Sequence, residues 1–126
     1  MGCFDENSEI MEHFFHPRNV GKIEKPDATG KIGNAMCGDI MEIYLKVKDN
    51  IIKDIKFQTY GCVAAIASMS VLTEMVKEKS IDEALKISNK KIRELLGEMP
   101  KNKYHCTVLA EQALKTAIED YKKKHK

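Results

Sequence analysis

Between Met41 and Val47 the apolar residues Met41, Ile43, Leu45 and Val47 alternate with Glu42, Tyr44 and Lys46, the two-residue period of a strand with one buried face. Asp49-Asn50 follows as a turn signal, and from Ile51 to Thr59 the residues Ile55 and Phe57 alternate with Asp54, Lys56 and Gln58. The two runs are expected to pair as an antiparallel hairpin. Lys53 interrupts the second pattern and predicts a bulge or an edge. A weaker strand is expected around Gly30 to Ala35, inside a loop-like stretch from Pro26 to Gly38 rich in Gly, Asp, Thr and Asn.

Helical periods flank these strands. Ile10, Met11, Phe14 and Phe15 predict a short amphipathic helix from Ser8 to His16, which Pro17 stops. Val63 to Lys79 is long, rich in Ala, Met, Leu and Val, and reads as a largely buried helix with Cys62 at its first turn. Ser80-Ile81-Asp82-Glu83 matches a capping box and predicts a short helix to about Ser88. Another runs from Lys90 to Leu96 and closes at Gly97. Val108, Leu109, Ala113, Leu114, Ala117, Ile118 and Tyr121 form one stripe of a terminal helix from Tyr104 to Lys124, opened by His105 and Cys106. With no alternating parallel units, the expected fold class is α+β: a small antiparallel sheet of three strands with helices packed on one face.

Length and charge narrow the function classes. The 126 residues, 43% of them apolar, suit one domain spanning 1–126. Lys and Arg number 21 against 19 Asp and Glu, and the one concentrated basic run, Lys122, Lys123, Lys124 and Lys126, reads as a solvated helix tip, so no nucleic-acid partner is expected. The apolar run from Val63 to Val76 is broken by Ser68, Ser70, Thr73 and Glu74, so no membrane span is expected. Neither a signal peptide nor a myristoylation signal is legible near Met1, and a cytoplasmic location follows as an expectation.

In a reducing compartment Cys3, Cys37, Cys62 and Cys106 are expected to be thiols rather than disulfides. Cys3 reads as a bystander. Cys37 falls in a Gly-bounded turn, while Cys62 and Cys106 stand where loops enter helices, where unpaired amides and the helix dipole favour thiolate, the form that binds metal or attacks sulfur. Asp39 and His105 stand close to Cys37 and Cys106 in sequence and add an oxygen and a nitrogen donor. Together Cys37, Asp39, Cys62, His105 and Cys106 predict a metal or sulfur site. No C-x-x-C pair marks a zinc ribbon, and no H-E-x-x-H or P-C-x-x-C motif places a general base beside a metal.

Three segments carry a family resemblance: Gly33-Asn34-Ala35-Met36-Cys37-Gly38-Asp39, Phe57-Gln58-Thr59-Tyr60-Gly61-Cys62-Val63 with the following Ala64 to Ser68, and Lys103-Tyr104-His105-Cys106-Thr107-Val108-Leu109-Ala110-Glu111. They resemble the signature segments of the IscU scaffold proteins and the related NifU N-terminal domain. His16-Pro17-Arg18-Asn19-Val20-Gly21 is similar to that family's N-terminal motif. The resemblance implies an IscU/SufE-like fold and a scaffold on which an iron–sulfur cluster, typically [2Fe–2S], is assembled and then passed to recipient apo-proteins, with no turnover of a small-molecule substrate.

It also implies partners and roles. A cysteine desulfurase of the IscS or NifS type supplies sulfur as persulfide, and an iron donor and an electron donor complete the assembly. Cys106 is then the leading sulfur acceptor, Cys37 and Cys62 are the other sulfur ligands, and Asp39 and His105 are both open as the non-cysteine ligand. Lys103 is expected to pair with Asp39 or a cysteine when the site is empty. A homodimer around the bound cluster stays open, as does zinc in the cluster-free protein. The chain reads Met99-Pro100-Lys101-Asn102-Lys103 where members served by a dedicated Hsp70-type chaperone carry Leu-Pro-Pro-Val-Lys, so the resemblance does not extend to that chaperone. Ser68-Met69-Ser70 also departs from the family and reads as a packing change. The competing readings are a zinc protein with the same donors and an adaptor domain with adventitious cysteines.

Overall fold

A computed structural model describes residues 9–34, 39–61, 63–97 and 101–124. Its elements are α1 (Glu9–Phe15), β1 (Ala28–Asn34), β2 (Asp39–Lys48), β3 (Ile51–Tyr60), α2 (Val63–Val76), α3 (Ile81–Leu85), α4 (Asn89–Leu96), a 3-10 turn (Lys101–Lys103) and α5 (Tyr104–Lys124). The strands form one antiparallel sheet in the order β1-β2-β3, in agreement with the α+β expectation.

The hairpin between β2 and β3 turns on Asp49 and Asn50 at φ +53° and +64°, the paired left-handed residues of a type I′ turn, whose twist matches that of the strands. Lys46 faces Asp54 and Val47 faces Ile52, so Lys53 is the unpaired residue of a bulge. That bulge has a consequence for packing. Ile52 and Ile55 are both fully buried although three residues apart, which a regular two-residue alternation forbids; the extra residue shifts the alternation and returns both to the core face.

The core face carries Met41, Ile43, Leu45, Ile55 and Phe57, all buried, under α2 against β3 and α5 against β1 and β2. The other face presents Lys31, Lys46 and Tyr60 to solvent. At Gly30 the helix lies almost on the strand: a Cβ there would stand 2.5 Å from the Ala117 nitrogen and 2.6 Å from the Ala113 oxygen. Only glycine permits that approach.

Three boundaries differ from the pattern-based expectation. The helix expected to Lys79 ends at Val76, because Glu78 takes φ +69° and its amide, with the Lys79 carbonyl, pairs with the Ile52 backbone at 2.8 Å each. The helix expected to reach about Ser88 ends at Leu85, because Ser88 is extended and caps α4, its Oγ accepting the Lys91 amide. The first strand begins at Ala28, ahead of the expected Gly30. The Ser80 half of the capping box forms as read, with the Glu83 amide donating to Ser80 Oγ at 3.1 Å, while the Glu83 carboxylate accepts from the Ser80 hydroxyl at 3.3 Å.

Arg18 to Gly21 lies along β3, where the Gly21 amide donates to the Phe57 carbonyl at 2.8 Å and the Phe57 amide to the Asn19 carbonyl at 3.0 Å. This covers part of an otherwise open sheet edge. No helix among the described residues is long and apolar enough to cross a membrane.

Candidate functional site

Thr29 receives a contact from the far end of α5, its amide donating to Asp120 Oδ2 at 3.0 Å, and Gly30 meets Ala113 and Ala117. The helix therefore runs antiparallel to β1, and its first turn points toward the end of β1. The same end of the sheet holds Asn34 opposite Asp39 and Ile40 opposite Tyr60. Three described parts of the chain thus gather at one pole: the end of β1 with the start of β2, the end of β3, and the start of α5.

At the start of α5 the sulfur of Cys106 lies 3.6 Å from His105 Nε2. Lys103, half-buried, closes the 3-10 turn directly ahead. Cys106 itself is fully buried, at 0% exposure, and belongs to the same apolar cluster as Ala65, Ala110 and Leu114. The side chain of Cys106 thus faces the core, while Tyr104 on the same turn is exposed.

Cys3, Cys37 and Cys62 lie outside the described residues. Asp39 opens β2, but its side chain, and with it the expected pairing to Lys103, lies outside them too. Among the described residues no three His, Cys, Asp or Glu side chains converge on one point. The structure thus brings together Cys106 and His105, and sets the backbone of Asp39 at the same pole.

A second polar cluster was not legible in the sequence. Ser70, on the apolar helix α2, places its Oγ 2.7 Å from His13 Nδ1 and accepts the Arg18 amide at 2.9 Å. Asn19 donates to Thr73 Oγ1 at 3.0 Å. The Ser68-Met69-Ser70 run is therefore no mere packing change: Ser68 returns its hydroxyl to the Ala64 carbonyl, while Ser70 fastens α1 and the following segment to α2. Burial, with the Arg18 charge beside it, holds the His13 imidazole below its ordinary value despite Glu74, Glu9 and Glu12. A cleft of about 370 Å³ beside it is lined by Glu9, His13, Val71, Glu74, Met75 and Leu95, and includes none of the candidate residues.

The family model described as NifU-like N terminal domain matches residues 5–126. The chain is 56% identical over 119 residues to the Iron-sulfur cluster assembly scaffold protein IscU 1 of Archaeoglobus fulgidus, covering 94% of this chain and 78% of the relative. It is 51% identical over 122 residues to the IscU scaffold protein of Haemophilus influenzae, covering 94% and 96%. The crystal structure of a NifU-like N-terminal protein from Brucella abortus superposes with a TM-score of 0.74 at 23% identity, over 93% of this chain and 94% of that one, a likeness of fold. On the extent of the sequence match, the chain belongs to the NifU-like N-terminal domain family.

Proposed function

We propose that the chain is a scaffold on which an iron–sulfur cluster is assembled and from which it is passed to apo-proteins. The relatives named as IscU scaffold proteins support this, and the observation that carries it is the gathering of Cys106, His105 and Asp39 at the pole where the chain neighbours of Cys37 and Cys62 also lie.

In this reading Cys106 accepts sulfur from a cysteine desulfurase. Its thiolate attacks the outer sulfur of the desulfurase's cysteine persulfide, that S–S bond breaks, the desulfurase cysteine leaves as thiolate, and a persulfide stands on Cys106 with no net oxidation. An electron donor then supplies two electrons for each sulfur that becomes bridging sulfide, and an iron donor supplies the metal. Cys37, Cys62 and Cys106 hold the [2Fe–2S] cargo with Asp39 or His105 as fourth donor. A carboxylate or imidazole holds iron less tightly than a fourth thiolate, which leaves an exchangeable corner through which the cluster departs. The same donors suit tetrahedral zinc, so zinc is the natural competitor in protein prepared without iron.

Anaerobic reconstitution with iron, cysteine and a desulfurase tests the assignment. Visible absorption bands of a cluster are expected in the wild type and not in the Cys37→Ala, Cys62→Ala, Cys106→Ala triple variant. Bands of equal strength in both would end this reading, as would stoichiometric zinc that iron and sulfide never displace.

A further inference from the structure

Helix α4 reaches the turn that carries Cys106 through the side chain of Arg93. Arg93 lays its guanidinium over the ring of Tyr104, with Cζ 4.6 Å from the centroid, and its Nη1 donates to Thr107 Oγ1 at 3.2 Å. Nη1 also donates to Asn89 Oδ1, one turn back on α4. Thr107 in turn donates its hydroxyl to the Tyr104 carbonyl at 2.7 Å, which ties the two contacted residues to each other. Asn89 is anchored to the third turn of α5, its side-chain amide donating to Glu111 Oε1 at 3.1 Å, and Glu111 is held from the other side by Lys115 at 2.9 Å.

The two residues that Arg93 touches bracket His105 and Cys106 in the chain. A planar guanidinium stacked on one and hydrogen-bonded to the other fixes both the tilt and the rotation of this first turn, which a flexible ammonium cannot do. Helix ends fray, and this tie adds to the burial of Cys106 and Thr107 in holding the first turn of α5. We propose that Arg93 is the positioning residue of the sulfur-accepting site, holding Cys106 and His105 in one arrangement through Tyr104 and Thr107. This rests on the scaffold reading for its function, while the clamp itself stands on geometry.

The test uses the full chain as wild type, Arg93→Lys, Thr107→Val and the double variant. Persulfide on Cys106 is measured by mass after alkylation, across a range of desulfurase concentrations. Arg93→Lys is expected to lower the maximal transfer rate about tenfold while the half-saturating desulfurase concentration stays within twofold, because partner binding is untouched and presentation of the thiol is not. The double variant is expected to be no slower than the slower single one, since both cut the same path. Alkylation of the Cys106 peptide by iodoacetamide, without desulfurase, is expected to run at least fivefold faster in Arg93→Lys.

A maximal rate within twofold of wild type, additive losses in the double variant, or unchanged alkylation overturns the role of Arg93. Thr107→Val, close to isosteric, asks the same question should Arg93→Lys fold poorly. A wild type that accepts no sulfur while alkylation still accelerates in the variant overturns the scaffold reading and leaves the clamp standing.

Discussion

The hydroxyl of Ser70 lies 2.7 Å from Nδ1 of His13, and Ser70 Oγ also accepts the Arg18 amide at 2.9 Å. The other ring nitrogen, Nε2, faces Glu74 Oε1 at 3.4 Å; because a carboxylate only accepts, the neutral imidazole carries its hydrogen on Nε2 and Nδ1 accepts from Ser70. The contact with Glu74 is accordingly a polar contact of a neutral ring, since burial and Arg18 outweigh the carboxylates around it.

Stability should therefore depend on pH through His13. In the unfolded chain the ring takes up a proton near its ordinary 6.5, whereas in the fold it does so only at lower pH, so the unfolded state binds more protons in between. The stabilisation is complete above about pH 6.5 and is lost as pH falls below it toward the folded value. Urea unfolding at pH 7.5 and 5.5 is expected to show this loss in the wild type and a smaller one in His13→Gln. An identical loss in both would assign the acid sensitivity to other groups.

Gly30→Ala places a methyl within 2.6 Å of the Ala113 carbonyl and closer still to Ala117. Both obstacles are backbone, so α5 as a whole must shift. Overpacking of this kind costs on the order of 2–3 kcal/mol, to be read as a lower urea midpoint with unchanged slope. Lys31→Ala, next along the strand but on the exposed face, serves as the control and should stay within about 0.5 kcal/mol of wild type.

The hairpin turn offers a smaller, cleaner effect. Asn50 stands at φ +64°, a conformation that asparagine and glycine accept and alanine resists. Asn50→Ala should cost about 1 kcal/mol, while Asn50→Gly should hold or raise the stability. Thermal melts of the two variants side by side separate a conformational cause from a lost side-chain contact, which both would share.

Local signals accounted for most of the architecture. The alternation from Met41 to Val47, the Asp49-Asn50 turn and the Lys53 interruption each act between near neighbours, and each appears in the fold as read. The end of α2 was not legible, because Glu78 leaves the helix to pair with Ile52, a contact made only once β3 is in place. Position told the same partial truth about the site. The start of α5 was visible at Tyr104 and the neighbourhood of His105 and Cys106 with it, but the inward rotation that buries Cys106 is set by packing on α2 and α4. Ser70 hid for a related reason: on an apolar helix a serine is compatible with simple packing, and only the chain folding back at His13 and Arg18 supplies its partners.

The proposed lability of the cargo can be tested by removing it. If Asp39 supplies the weak fourth donor, Asp39→Cys completes a set of four thiolates, which hold iron–sulfur clusters more tightly. After anaerobic reconstitution the variant is expected to keep its absorption bands several-fold longer against an iron chelator and to load an apo-ferredoxin correspondingly more slowly. His105→Cys makes the same chemical change beside Cys106, whose sulfur the histidine ring approaches to 3.6 Å. Slower release in Asp39→Cys alone identifies the carboxylate as the exchangeable corner, and slower release in His105→Cys alone identifies the imidazole. Wild-type release in both would show that departure of the cluster is governed by something other than its fourth ligand.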